Sequence, residues 1–176
     1  MGFDLHRTFA LVLLLGFLVG CTSSFEYKAG LYTKSVEGVV QTSLTHPETR
    51  PFILVLNYHR TLIETSEGYL NRATAFVAYP DMDGKYSVSF DADTVSLELS
   101  FFAKEHFLVN QQFKRSIGIG KYKYDVQLKE DKDWKNSYFL IVKPVLIEFI
   151  TEDRFQMNQF DKYHIGQWLS DIDEEM

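Results

Sequence analysis

Pro51-Phe52-Ile53-Leu54-Val55-Leu56-Asn57-Tyr58 is the stretch on which the fold turns. Successive side chains of a strand point to opposite faces, so five consecutive apolar residues leave neither face suited to water. The run therefore predicts a central strand covered on both sides.

On either side of it the chain reads as short strands. Val36 to Gln41 is a first strand, weakened by Gly38, and a polar loop with His46-Pro47 joins it to the apolar run. Residues 61–70 are ambiguous, with a turn signal at Glu67-Gly68. Thr74 to Tyr79 is strand-like. Pro80-Asp81-Met82-Asp83-Gly84 is a turn: Gly84 adopts positive φ cheaply, and the Asp side chains can accept from nearby backbone N–H groups. Tyr86, Val88 and Phe90 then alternate with polar residues, so a hairpin across this turn is expected. Asp91-Ala92-Asp93 makes the next turn, and Val95, Leu97, Leu99 and Phe101 alternate after it. A loop with Lys104, Glu105 and His106 leads to a strand-like stretch from Phe107 to Phe113. Ile117 to Gly120 is a break. Tyr122, Tyr124, Val126 and Leu128 form the clearest period-two segment. Short strands at this spacing predict a mainly β protein, an antiparallel β-sandwich.

The pattern changes after Lys129. A strand is expected up to about Val142, then a short buried helix opening at Pro144, since proline is tolerated in a first helical turn. From Asn158 the period is helical, with Phe160, His164, Trp168 and Ile172 in an i, i+4 row and Tyr163, Ile165 and Leu169 beside it. The acidic end, Asp171 to Glu175, opposes the helix dipole, so the last turn is expected to fray. The sequence thus divides into residues 1–20, a signal peptide; 21–34, a tether; 35–129, the sandwich; and 130–176, a strand and helices packed on it.

The amino terminus carries the strongest functional signal. Phe9 to Val19 is apolar apart from Gly16, and it is too short to span a bilayer, which takes about 20 residues. Leu18-Val19-Gly20-Cys21 resembles the lipobox of bacterial lipoproteins. That resemblance implies cleavage between Gly20 and Cys21, acylation of the Cys21 thiol and its new amino group, and a lipid bilayer as the first partner. By similarity to enterobacterial lipoproteins, Thr22 after the cysteine favours the outer membrane, with the domain facing the periplasm.

From Val36 to Leu128 the order of features is similar to the prealbumin-like sandwiches, the transthyretin and carboxypeptidase-regulatory-like domains. The matching features are Gly38-Val39-Val40, the turn Asp81-Met82-Asp83-Gly84-Lys85-Tyr86, and the alternating strand Val95 to Phe101 with Ala103 beyond. The likeness spans about half the chain and implies fold more than function. The hydroxyisourate hydrolases of that fold end in Tyr-Arg-Gly-Ser, whereas this chain ends in Asp-Glu-Glu-Met, so their activity is not implied. The type VI secretion lipoprotein has a similar layout of lipobox, sandwich and added helices.

Composition excludes several classes. The net charge of −6 gives no general attraction to nucleic acid or anionic lipid. Cys21 is the single cysteine, so no disulfide is available within the chain. No two of His46, His59, His106 and His164 are spaced for a helical metal site, and no metal is expected. Asp81, Asp83, Asp91 and Asp93 could offer oxygens to calcium, but a strand of about six residues, roughly 20 Å, separates the two pairs, and turn chemistry accounts for them. No Gly-x-Ser-x-Gly or nucleotide-loop pattern is present. The expectation is a non-catalytic lipoprotein without a cofactor, binding or scaffolding in the cell envelope with a protein partner. The alternatives are a carbohydrate- or small-ligand-binding module, with Trp134 as the stacking candidate, and a component of a secretion-system envelope complex.

Overall fold

The computed structural model of the chain describes residues 35–43, 50–65, 68–91, 93–114 and 120–176. Gly20 and Cys21, the tether, His46 and Gly118 lie outside the described residues.

Phe52 to Leu56 opens β2 (Phe52–Thr65), which is flanked by β3 (Gly68–Ala78) and β5 (Thr94–Phe102). With β6 (Val109–Lys114) they form an antiparallel sheet in the order β3-β2-β5-β6. Ile53 and Val55 enter one core with Leu97, Leu99 and Phe101. Phe52, Leu54 and Leu56 enter a second core on the opposite face. All five side chains are buried, each contributing about 1.5–3 kcal/mol relative to exposure.

The second sheet covers the Ile53 face. Its middle strand is β1 (Ser35–Thr42), paired antiparallel with β4 (Lys85–Ser89) and parallel with β7 (Lys121–Lys123) and β8 (Val126–Leu128). The result is a mainly β sandwich with helices at the C-terminal end of the chain.

Two details depart from a simple antiparallel meander. Thr74–Tyr79 and Lys85–Phe90 do not form a hairpin. β3 pairs with β2, whereas β4 pairs with β1 of the other sheet, with Val36 opposite Val88. The turn itself forms as expected: Asp81 Oδ1 accepts from Asp83 N–H at 2.9 Å and Lys85 N–H at 2.8 Å, and Gly84 has φ +76°. Such a turn reverses the chain but does not choose the edge on which the next strand lands. That choice falls to Val88 and Tyr86, which bury against the other sheet.

The alternating segment 121–128 is interrupted at Tyr124-Asp125, and its two halves run parallel to β1. The break occurs at Gly38, where a Cβ would lie 1.8 Å from the Tyr124 carbonyl oxygen. Side chains and backbone repair the ladder there. Tyr124 N–H donates to Glu37 O at 2.9 Å, Val39 N–H donates to Asp125 Oδ1 at 3.1 Å, and the Tyr86 hydroxyl donates to Tyr124 O at 2.6 Å.

The Phe52 face is covered by helices. The strand expected up to Val142 is instead helical from Trp134: α1 (Trp134–Ser137), a π-helical turn (Tyr138–Val142) and α2 (Lys143–Thr151). Trp134, Tyr138, Val142, Leu146 and Phe149 recur at helical spacing and are buried. Phe139, Leu140 and Ile141 lie on the exposed side, so the segment has the composition of a buried strand without being one. Pro144 accounts for the wide turn. It has no N–H to donate and would crowd the carbonyl four residues back. Lys143 N–H bonds to Tyr138 O five residues back, and the bulge absorbs the misfit. Trp134 is only 8% exposed and belongs to this core, not to a stacking surface.

A 3₁₀ turn (Asp153–Phe155) leads to α3 (Gln159–Glu175), capped by Asn158 Oδ1 accepting from Asp161 N–H at 2.9 Å. Its buried row is Ile165, Leu169 and Ile172, one step round from the row expected; Phe160 is 69% exposed. The last turn does not fray. Asp173 binds Lys143 Nζ at 2.7 Å and accepts from the Tyr138 hydroxyl, and Glu175 pairs with Lys104. The Lys143 ammonium, aided by that hydroxyl, holds the Asp173 carboxyl below the usual aspartate range. Cations from other elements thus offset the unfavourable dipole.

Gly38→Ala is expected to destabilise the domain by about 3 kcal/mol, because the new methyl must displace backbone. Tyr86→Phe, which removes one hydrogen bond at the same crossing, should cost only about 1 kcal/mol. Urea denaturation of both variants measures the difference; equal effects would show that Gly38 is not a point of close approach.

Candidate functional site

The β2–β3 register sets Ile53 opposite Ala78, so Arg50 and Phe52, at the start of one strand, meet Tyr79, at the end of the other. The side chain of Asp161 fastens α3 to this edge: Oδ2 accepts from Val77 N–H at 3.1 Å and from Asn158 Nδ2 at 2.8 Å. Between strand ends and helix lies a half-open cleft of about 220 Å³, lined by Arg50, Phe52, Tyr79, His164, Trp168 and Asp171.

Its apolar side is aromatic and fixed. Phe52 stacks on Phe102 at 5.0 Å and meets Trp168 edge-on at 5.3 Å. Arg50 donates to Pro80 O at 2.9 Å, and its guanidinium lies 5.5 Å from the centre of the Tyr79 ring. Burial, and then the Asp161 charge, push the Tyr79 phenol above its ordinary pKa, with Arg50 opposing. The phenol is therefore a neutral hydrogen-bond donor at neutral pH. Half-buried His164 stands edge-on to Tyr79 at 6.5 Å. The cleft is smaller than the 300–1,000 Å³ sites that enclose drug-sized ligands, and it has room for one ring-sized group. Aromatic faces bordered by both donors and acceptors suit a hydroxylated ring.

Among the described residues, His106 and His59 each pair with a hydroxyl. His106, 1% exposed, has Nδ1 2.7 Å from Lys104 O, which can only accept; Nδ1 therefore carries the proton, and Ser43 Oγ donates to Nε2 at 3.2 Å. Glu105 beside it holds φ +62°. His59 Nε2 lies 2.9 Å from Thr74 Oγ1, and His59 Nδ1 lies 2.9 Å from Asp93 Oδ1. The second contact is an ion-pair distance off the line of the ring N–H, so it is not a straight hydrogen bond. His59 nevertheless draws the Asp93 carboxyl below its usual range. Neither Ser43 nor Thr74 lines the cleft.

The four turn aspartates serve separate local roles. Asp81 builds its turn, Asp83 pairs with Lys85 at 2.9 Å, Asp91 accepts from Asn57 Nδ2 at 3.3 Å, and Asp93 faces His59. Among the described residues no three His, Cys, Asp or Glu side chains are grouped to hold a metal ion. A broader groove on the outer face of the β1 sheet is lined by charges that are already matched, Lys121 with Glu37 at 2.8 Å and Lys123 with Asp125 at 3.1 Å.

Of the residues singled out in the sequence, the structure brings His164 and Trp168 to the cleft and removes Trp134 from any surface role. Arg50 and Tyr79 were not foreseen there. Their signal is positional: each flanks an apolar strand at the end that faces the C-terminal helix.

No protein-family model matches the chain, and no curated protein matches it. Among solved structures, it is similar to the dioxygenase domain of a dioxygenase carbohydrate-binding protein fusion from Streptomyces sp. SirexAA-E, at TM-score 0.37 and 13% identity over 59% of this chain and 84% of that one. It is also similar to the group B streptococcus pilus 2b backbone protein, at TM-score 0.35 and 12% identity over 56% of this chain and 42% of that one. The major pilin subunit BcpA of Bacillus cereus scores 0.34 at 11% identity, over 57% of this chain and 31% of that one. These are partial overlaps of sheet architecture, and no function is carried over from them.

Proposed function

We propose that the chain is a lipid-anchored protein of the bacterial cell envelope whose domain binds a ligand without transforming it. The anchor is Cys21, acylated after cleavage behind Gly20. Each buried methylene of an acyl chain contributes about 0.8 kcal/mol, and two or three chains make the attachment nearly permanent. Thr22 favours the outer membrane, with the domain in the periplasm, where it would also meet a protein partner of the envelope.

The observation that carries the binding reading is the cleft, with its fixed aromatic wall beside Arg50, His164 and Asp171. Both hydroxyl–histidine pairs lie outside its lining, which favours binding over turnover. The ligand class that suits it is a hydroxylated ring, as in a carbohydrate.

Cys21→Ser should abolish processing and release the domain from the acylated membrane pool; a variant that still fractionates with membranes, cut at the same position, contradicts the anchor. On a glycan array the native domain should bind a restricted set of sugars, and Trp168→Ala should weaken that binding about tenfold. No binding to any glycan, or binding untouched by the substitution, contradicts the cleft.

A further inference from the structure

The helical layer is apolar on both sides. Tyr138, Val142, Leu146 and Phe149 fill the core on the Phe52 face of the sheet. Between the first two of these, Phe139, Leu140 and Ile141 point outward and are 44%, 77% and 51% exposed; Ile147, two turns beyond Leu140, is 40% exposed. A helix that is apolar all round ordinarily has a neighbour on every side. These exposures show that no described element covers the outer side of this one.

The outer face is also electrically quiet. Residues 136–142 carry no charge, and the charges at its margin are matched within the chain, Lys143 by Asp173 at 2.7 Å and Glu148 by Arg154. At their exposures the four side chains offer roughly 400 Å² of surface, half of the about 800 Å² that each partner buries in a standard protein interface. A small face without free charges lacks the polar rim by which proteins hold one another. A bilayer requires no such rim, because apolar side chains enter the boundary between headgroups and acyl chains on their burial alone.

We propose that this face rests on the bilayer, with Phe139, Leu140, Ile141 and Ile147 in the headgroup–acyl boundary. The contact rests on anchorage at Cys21, which keeps a membrane within reach. Thirteen residues separate Cys21 from Ser35, the start of β1, and such a length can span at most about 45 Å. β1 and the helices lie on opposite sides of the β2 sheet, so two layer spacings and a helix radius, roughly 25 Å, separate Ser35 from the outer helical face. The tether is long enough. With a net charge of −6 on the chain, anionic lipid adds repulsion and no affinity, so the contact is apolar in origin.

The test places the full acylated chain on phosphatidylcholine vesicles that contain a phosphatidylcholine with a photoactivatable acyl chain. After irradiation, peptide mapping should find lipid adducts on residues 139–147 and almost none on Lys85–Ser89 or Lys121–Lys123 of the opposite sheet. Leu140→Asp combined with Ile141→Asp, both at exposed positions, should cut the adducts about tenfold while the chain stays on the vesicles through Cys21. Salt should leave the yield unchanged, and phosphatidylglycerol should not raise it. Adducts missing from 139–147, equally frequent on both sides of the domain, or increased by phosphatidylglycerol overturn the proposal. A second copy or another protein cross-linked there in place of lipid does so too. Mass spectrometry of Cys21 reads the anchor separately. An acylated Cys21 without helical adducts leaves the anchor standing and ends the proposal; an unmodified Cys21 with helical adducts does the reverse.

Discussion

The burial of both faces of Phe52 to Leu56 is the constraint on which the rest of the structure depends. One strand serves two cores. Ile53 and Val55 require a second sheet, which β1, β4, β7 and β8 supply; Phe52, Leu54 and Leu56 require a further layer, which the helices supply. Neither cover is optional, because the two apolar side chains of one face or the three of the other, left exposed, would lose several kcal/mol of the stability that keeps such a domain folded. The helical segment is therefore part of the domain's core, and Tyr138 and Leu146, both fully buried, have their place there.

The candidate site and the two-stranded end of the β2–β3 hairpin follow from where that double coverage stops. At one end of β2 the helical layer meets the strand ends, and the space left between Tyr79 and Trp168 is the cleft. At the other end β5 and the covering layers run out before β2 does, leaving a bare ribbon. The cleft and the bare ribbon thus lie at the margins of the sheet, while its middle is committed to packing. The crossing at Gly38 plays the corresponding part in the second sheet. There a missing Cβ allows two strand segments to share one partner, and the Tyr86 hydroxyl and the Asp125 carboxylate satisfy the backbone groups that the irregularity frees.

Much of the sandwich was legible in the sequence. Period-two alternation located β5 and the 121–128 segment, and the continuous apolar run located the central strand. What the pattern could not give was partnership. A turn such as 80–84 serves a hairpin and a crossing between sheets equally well, so β4 landed on β1 instead of β3. The segment 138–142 reads as a strand in sequence because its outer residues Phe139, Leu140 and Ile141 are as apolar as its inner ones, which erases the helical period. On α3 the competing rows differ by one step, and only the position of the sheet decides between Phe160 and Ile165. The cleft was barely legible, since Arg50 and Tyr79 lie far apart in the chain and meet only through the β2–β3 register.

Hydrogen exchange followed by mass spectrometry tests the central claim most directly. If β2 is the shared wall of two cores, the amides of residues 53–56 and of the buried helical stretch 142–149 should exchange through one cooperative opening, with the same free energy and the same denaturant dependence. Exchange of the helical amides at a markedly lower free energy, with β2 still protected, would mean that the helices are a separable appendage and would contradict the account.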